Sequence, residues 1–490
     1  MTDSLTTLIP MRLGQATREL AQLALSGAWG RALAETTLSL DGRAEFALLS
    51  AEMRYAQCVK LIAEEAPLRI FSGMWLVGSA SLRQASCHEL PVRCDGRPAF
   101  SSTSHLTLGF DQVLKVGYRG LRARVEERLA TGELDERGTD LLQAMQVCLD
   151  AAAIWHQRYL DELTVLAEGA VGEERARLLA IYDNLRLVPE LPPENFTQAV
   201  QALWFLFAFQ RLCGNWPGIG RIDAMLGEFL ARDLASGAIT LDEAREMLAH
   251  FWIHGCEWIG APNSFGGSGD AQYYQNIVLA GVDAEGNDLI NEVTYLVLDV
   301  VEELHISDFP IAVRLNSHSP ERLLRRIAEV QRHGSGIVAV YNDEVVIPAL
   351  VEFGYPIREA RRYANDGCWE VQIPGETCFS YRPFDMLALL QEILGITTED
   401  EPPAYADFDA LYAAFYHRLA RQIAEIHRDA DTFALGGPPS TLVSLLEQDC
   451  IARGRGYYDR GARYNVYAPH AGGLPDTGNN LFAIQKIVYE

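Results

Sequence analysis

Basic residues are scarce in this 490-residue chain: 41 lysines and arginines stand against 66 aspartates and glutamates, a formal net charge of −25. So acidic a surface repels phosphate backbones and anionic lipid alike, and neither nucleic acid nor membrane is an expected partner. Met1 to Leu25 holds Asp3, Arg12, Arg18 and Glu19 and no long apolar stretch, so no signal peptide or spanning helix is expected and the expected location is the cytoplasm. The nine cysteines (58, 87, 94, 148, 213, 256, 368, 378 and 450) are scattered, odd in number and free of any Cys-x-x-Cys pair. That disfavours a disulfide framework and a zinc or iron-sulfur site, and no bound metal is expected. Gly266-Gly267-Ser268-Gly269 lacks the Gly-Lys-Ser/Thr of a phosphate loop. His250 and His254 stand four apart but have neither a His-Glu-x-x-His arrangement nor a third ligand nearby, and read as polar residues of an amphipathic helix. There is no internal repeat and no low-complexity tract.

What remains is an ordinary globular composition, 49% hydrophobic and 22% charged. Apolar residues three and four apart predict helices over 45–65, 111–129, 133–166, 196–212, 222–236, 241–258, 292–304, 320–333 and 408–427. Ser319 is expected to cap the helix that Pro320 opens, and Thr240 with Glu243 forms a capping box. Cys256 is expected to continue that capped helix as a structural residue. Short apolar runs at 74–77, 277–279, 310–315 and 337–340 have strand character. Long helices alternating with short buried strands predict an α/β fold.

The segment richest in chemistry is Gly367-Cys368-Trp369-Glu370. A thiol two residues from a carboxylate suits a reaction in which sulfur takes a hydrogen atom and oxygen takes a proton. If the segment is extended, Cys368 and Glu370 share one face and Trp369 points the other way.

The same segment resembles the thiyl-radical loop of the glycyl radical enzymes, the class of pyruvate formate-lyase and the diol and choline lyases. Further resemblances follow in family order: Pro192 to Phe196 with Ala199 to Phe205, Gly220-Arg221-Ile222-Asp223, Gln275-Asn276, Ala280 to Asp283, Asn291-Glu292, Tyr341-Asn342-Asp343-Glu344 and Asn480 to Lys486. Pyruvate formate-lyase itself is similar but has two adjacent cysteines, so the single Cys368 with Glu370 points to the Gly-Cys-x-Glu subgroup.

That resemblance implies a single pyruvate formate-lyase-like domain over 1–490: a helical N-terminal jacket, a first half-barrel of parallel strands and a cysteine finger loop, with the C-terminal half absent. Arg453-Gly454-Arg455-Gly456-Tyr457 imitates the family's Arg-Val-x-Gly-Tyr radical motif but precedes Asn480 to Lys486 instead of following it, and is read as a decoy. The expectation is therefore the large, substrate-binding subunit of a split thiyl-radical lyase or dehydratase. Cys368 would abstract hydrogen and Glu370 would act as base, with His105 and Asp366 as substrate-binding residues on a small polar molecule. His105 could also protonate the leaving group, although it could equally be a capping or core histidine, and Asp366 could belong only to a tight turn. No cofactor would bind permanently: the glycyl radical would be supplied in trans by a small subunit and installed by a radical S-adenosylmethionine activase, with a homo-oligomer also open. The alternatives are a radical-independent descendant of the fold and a non-catalytic partner of a full-length relative.

Overall fold

Strand runs that are apolar throughout, without alternation, belong to parallel sheets covered on both faces, and the sequence supplies several. The computed structural model describes residues 10–33, 38–79, 82, 89–260, 275–306, 309–334, 338–367, 370–396, 403–434 and 436–490. In it β1 (Ser104–Thr107) pairs parallel with β2 (Trp216–Gly218). After Ile219, β3 (Gly220–Arg221), β4 (Ile277–Ala280), β5 (Ile311–Leu315) and β6 (Val338–Asn342) form a parallel sheet in that order. Ile277 lies opposite Ile311, which lies opposite Val338, and every residue of β4 is buried. The chain is thus α/β, and the four predicted runs yield three strands.

The fourth run, 74–77, forms no strand although Met74, Leu76 and Val77 are buried. Side chains satisfy its backbone instead of a ladder: Gln201 accepts from the Val77 N–H (3.1 Å) and donates to the Val77 carbonyl (2.9 Å), while His254 Nε2 meets the Leu76 carbonyl at 2.9 Å. Burial alone does not distinguish a strand from an extended segment whose hydrogen bonds go elsewhere.

Helices cover the sheet. Phe196–Leu212 is buried at every position except Thr197, and its aromatics pack against Trp155, Phe251 and Phe309. Asn195 caps it by accepting from the Gln198 N–H at 2.9 Å. The Thr240–Glu243 capping box opens Leu241–His254 as expected. That helix stops at Gly255, so Cys256 lies just past its end, buried with its thiol 3.7 Å from the Trp252 carbonyl. Pro320 is itself the cap residue of Glu321–Gln331, and Ser319 instead accepts from the Asn316 N–H at 3.0 Å. Phe110–Ala130 breaks at Gly117 (φ +66°), where a Cβ would come within 2.4 Å of the Glu190 carbonyl oxygen. No described helix is long and apolar enough to cross a membrane.

The chain divides into two compact units. The larger holds residues 1–377, 438–457 and 461–463, including the whole parallel sheet; the smaller holds 378–437, 458–460 and 464–490. The smaller has its own core of Met386, Leu389, Leu390, Leu411, Phe415 and Leu481.

Candidate active site

Two further strands in the larger unit, β7 (Ala364–Asp366) and β8 (Glu370–Gln372), pair antiparallel, with Ala364 opposite Gln372 and Asp366 opposite Glu370. Asp366 and Glu370 thus stand opposite each other, with Gly367 next to Asp366; the extended reading of Cys368 to Glu370 falls on residues outside the described ones. Gly367 has φ +58°, and a Cβ there would come within 2.3 Å of His105 Cδ2 and 2.5 Å of Glu370 Oε2. Only glycine fits both the backbone conformation and the space. Cys368 and Trp369 lie outside the described residues.

His105 and Glu370 reach this turn from different parts of the chain. On β1 the register jumps from Ser104 opposite Trp216 to Leu106 opposite Pro217, leaving His105 as the extra residue of a bulge at φ +59°. A bulge re-aims a side chain out of the regular alternation. Its Nδ1 lies 2.9 Å from Ser104 Oγ, and its Nε2 lies 4.0 Å from Glu370 Oε1. The Glu370 side chain is fully buried, whereas that of His105 is 26% exposed. A carboxyl and an imidazole thus meet beside Gly367, too far apart for a direct hydrogen bond.

Asp366 is also buried. Burial drives its carboxyl well above the usual carboxylate range and the nearby Glu370 adds to this, against the opposing N–H groups of Asn276, Gly367 and Gly218. Its Oδ1 accepts from the Asn276 N–H at 3.2 Å, while Oδ2 has no partner among the described residues. The site therefore sets two carboxyls side by side.

The hairpin is held against the sheet by side chains that bond to its main chain. Arg221 on β3 donates to the Arg361 carbonyl (3.5 Å), Asn276 just before β4 to the Gly367 carbonyl (3.0 Å), and Arg314 on β5 to the Tyr363 carbonyl (2.9 Å). Arg314 is itself fixed by a buried two-pronged pair with Asp343 (2.8 and 2.9 Å), which also accepts from the Tyr363 hydroxyl at 2.7 Å. Ala364 packs on Val278 and Ala312, whose small size lets the hairpin approach. Behind the sheet, Asp223 accepts from the Ala280 N–H (2.6 Å) and from Thr294 Oγ1 (2.7 Å). The Gly220-to-Asp223, Gln275-Asn276 and Tyr341-to-Glu344 segments singled out in the sequence are thus scaffold for the turn.

On the other side, Gln372 accepts from the Thr107 N–H at 3.2 Å and donates to the His105 carbonyl at 2.8 Å, tying β8 to the bulged strand. Neither Asn276 nor Gln372 stands out as a site residue in the sequence. Asn276 lies in one of the resembling segments, and Gln372 carries no signal beyond its nearness to Glu370.

The other candidate motifs fall elsewhere. His250 and His254 are both buried, stacked on Trp75 and Trp204 respectively. Among the described residues no group of three or more His, Cys, Asp or Glu could hold a metal ion. Gly456 has Ser440, Ser444 and Glu52 as its nearest neighbours, and Tyr457 donates its N–H to Ser444 Oγ at 2.8 Å. The glycine-rich 261–270 loop lies outside the described residues.

The chain is similar to several known proteins. The chain is 28% identical over 408 residues to trans-4-hydroxy-L-proline dehydratase of Clostridioides difficile, covering 78% of this chain and 52% of that protein. It is 31% identical over 294 residues to isethionate sulfite-lyase of Oleidesulfovibrio alaskensis, covering 58% and 36%. It thus spans about half the length, or less, of these relatives. Among solved structures, the glycerol-bound B12-independent glycerol dehydratase of Clostridium butyricum superposes with a TM-score of 0.84 at 20% identity, covering 99% of this chain and 72% of that one. The hydroxyproline dehydratase of Clostridioides difficile with trans-4-hydroxy-L-proline bound gives 0.83 at 23% identity, covering 98% and 72%. The pyruvate formate lyase-like family model matches residues 84–490, and the chain belongs to that family.

Proposed function

We propose that this chain is the large, substrate-binding subunit of a glycyl radical lyase or dehydratase, with Cys368 as the hydrogen-abstracting thiol. The observation that carries the reading is the buried Glu370 held 4.0 Å from His105 beside the glycine turn that leads into Cys368. A substrate oxygen seated between them at about 2.8 Å from each would hydrogen-bond to both groups at once.

In this reading the Cys368 thiyl takes a hydrogen atom from a carbon bearing a hydroxyl, leaving an S–H bond and a carbon radical. Glu370 takes the hydroxyl proton. The resulting ketyl-like radical expels a neighbouring leaving group with its electron pair, and His105 gives that group a proton. The product radical then regains a hydrogen atom from Cys368, which restores the thiyl. Asp366, close by and neutral, would hydrogen-bond to a polar group of the substrate.

The glycyl radical would come from a glycine on a separate small polypeptide, installed by a radical S-adenosylmethionine activase. The test is anaerobic reconstitution with activase and S-adenosylmethionine, with and without that partner, against trans-4-hydroxy-L-proline, isethionate and glycerol. Turnover and a glycyl doublet in electron paramagnetic resonance should appear together and only with the partner. A doublet from this chain alone, lost on Gly456→Ala, would overturn the separate-subunit reading. Turnover in air without activase would show a radical-independent enzyme, and binding of a full-length relative without turnover would show a non-catalytic partner.

A further inference from the structure

We infer that two carboxamides, Asn276 and Gln372, are the positioning residues of this site, jointly fixing the turn after Asp366 relative to His105. The inference deepens the proposed function and rests on that reading for its kinetic consequences. Its structural content stands on hydrogen bonds alone.

The turn at Gly367 and the bulge at His105 both adopt left-handed backbone, at φ +58° and +59°. For histidine such a conformation is strained and persists only where the surroundings impose it. Asn276 imposes it on the turn from two directions. Its side-chain nitrogen donates to the Gly367 carbonyl at 3.0 Å, and its backbone N–H donates to Asp366 Oδ1 at 3.2 Å, so both residues before Cys368 are tied to the start of β4. Gly218 completes the seat: a Cβ there would come within 2.4 Å of Asp366 Oδ1.

Gln372 does the corresponding work on the bulge. Its amide oxygen takes the Thr107 N–H and its amide nitrogen gives to the His105 carbonyl, so one side chain grips the main chain on either side of Leu106, directly after the bulge. Both amides are buried, at 4% and 1% exposure. A buried amide whose partners are main-chain groups cannot swing away without leaving those groups unpaired. The Glu370-to-His105 separation is thus set by two amides that need never touch substrate. Displacing reacting groups by about 1 Å costs on the order of 100-fold in rate while leaving substrate affinity nearly intact.

The test uses Asn276→Ala and Gln372→Ala in the full chain, with Asn276→Asp and Gln372→Glu as variants of unchanged volume should the alanine forms fail to fold. Amide hydrogen exchange of the peptide spanning 362–373 should rise at least about tenfold in each variant, while peptides from Phe196–Leu212 keep their protection. In the reconstituted enzyme kcat should fall by roughly 30-fold or more with KM within about threefold and the glycyl doublet undiminished. Unchanged exchange in 362–373 overturns the inference whether or not the chain proves to be a radical enzyme. Raised exchange with kcat within about threefold of the original overturns the positioning role while leaving the proposed reaction standing. If the original protein shows no turnover, the proposed reaction fails and exchange alone decides the clamp.

Discussion

Asp366 and Glu370 face each other across a two-stranded hairpin, the last and first paired residues on either side of a glycine turn, and both are buried. Burial raises the carboxyl of Asp366 well above the usual carboxylate range, and the nearby Glu370 adds to that rise.

The sign of that effect is testable. Between pH 3.8, where an exposed aspartate releases its proton, and the elevated value in the folded protein, the unfolded chain binds fewer protons than the folded one. Stability from this group is therefore present at low pH and lost as pH rises through the folded value. Asp366→Asn, which keeps the shape and cannot ionise, should flatten the decline in urea midpoint as pH rises above 3.8. An identical pH profile would mean that Asp366 is ionised in the fold.

Glu370→Gln removes the proposed base while keeping its volume. Product formation should fall by roughly 10²–10⁴-fold, with hydrogen exchange between substrate and Cys368 still detectable by deuterium transfer. An unchanged rate would assign proton removal to another group.

Cys368→Ala should abolish turnover with little change in the thermal midpoint, since one sulfur accounts for little packed volume. A folded variant that retained turnover within a few-fold of the original would remove the radical relay from Cys368.

A different window belongs to His250 and His254. Burial, reinforced by His254 and Arg177, pushes His250 down to about 3. Burial pushes His254 down to about 4 despite the opposing Leu76 carbonyl. From pH 6.5 down to those values the unfolded chain binds more protons, so the stability these residues hold at neutral pH is lost as pH falls. Each proton is worth up to about 1.4 kcal/mol per pH unit. His250→Gln combined with His254→Gln should make urea unfolding between pH 6.5 and 4 measurably less pH-dependent; an unaltered slope would show that neither histidine resists protonation.

Glu447 is buried with neither carboxyl oxygen partnered among the described residues, and burial, with Glu376 beside it, drives its carboxyl well upward. Glu447→Gln should raise the unfolding free energy at pH 8 by about 1 kcal/mol or more and leave it unchanged at pH 4. Equal effects at both pH values would point to packing, not charge.

Much of the scaffold was legible because helical periodicity and unbroken apolar runs report burial directly. Phe196–Leu212, Ile222–Ser236 and Glu292–Leu304 fall at their predicted bounds. The 74–77 run misled because its backbone partners are the side chains of Gln201 and His254, which no local pattern records. His105, Asp366 and Glu370 were each visible from chemistry and family resemblance, and the structure brings all three around Gly367. Their relation was not visible: nothing local records that Asp366 pairs opposite Glu370 or that Gly367 fits between His105 and Glu370. Asn276 and Gln372 stayed hidden because a carboxamide that bonds to distant main chain looks like any other polar residue until the distance closes.

The bond from Gln372 to the His105 carbonyl joins residues 267 apart in sequence, and that from Asn276 to Gly367 spans 91. Contacts of such range form only after the intervening chain has paid its loop-closure entropy. Helices, whose bonds are local, can therefore form while the hairpin is still undocked and Glu370 has not met His105. During refolding, circular dichroism should recover before protection at 362–373.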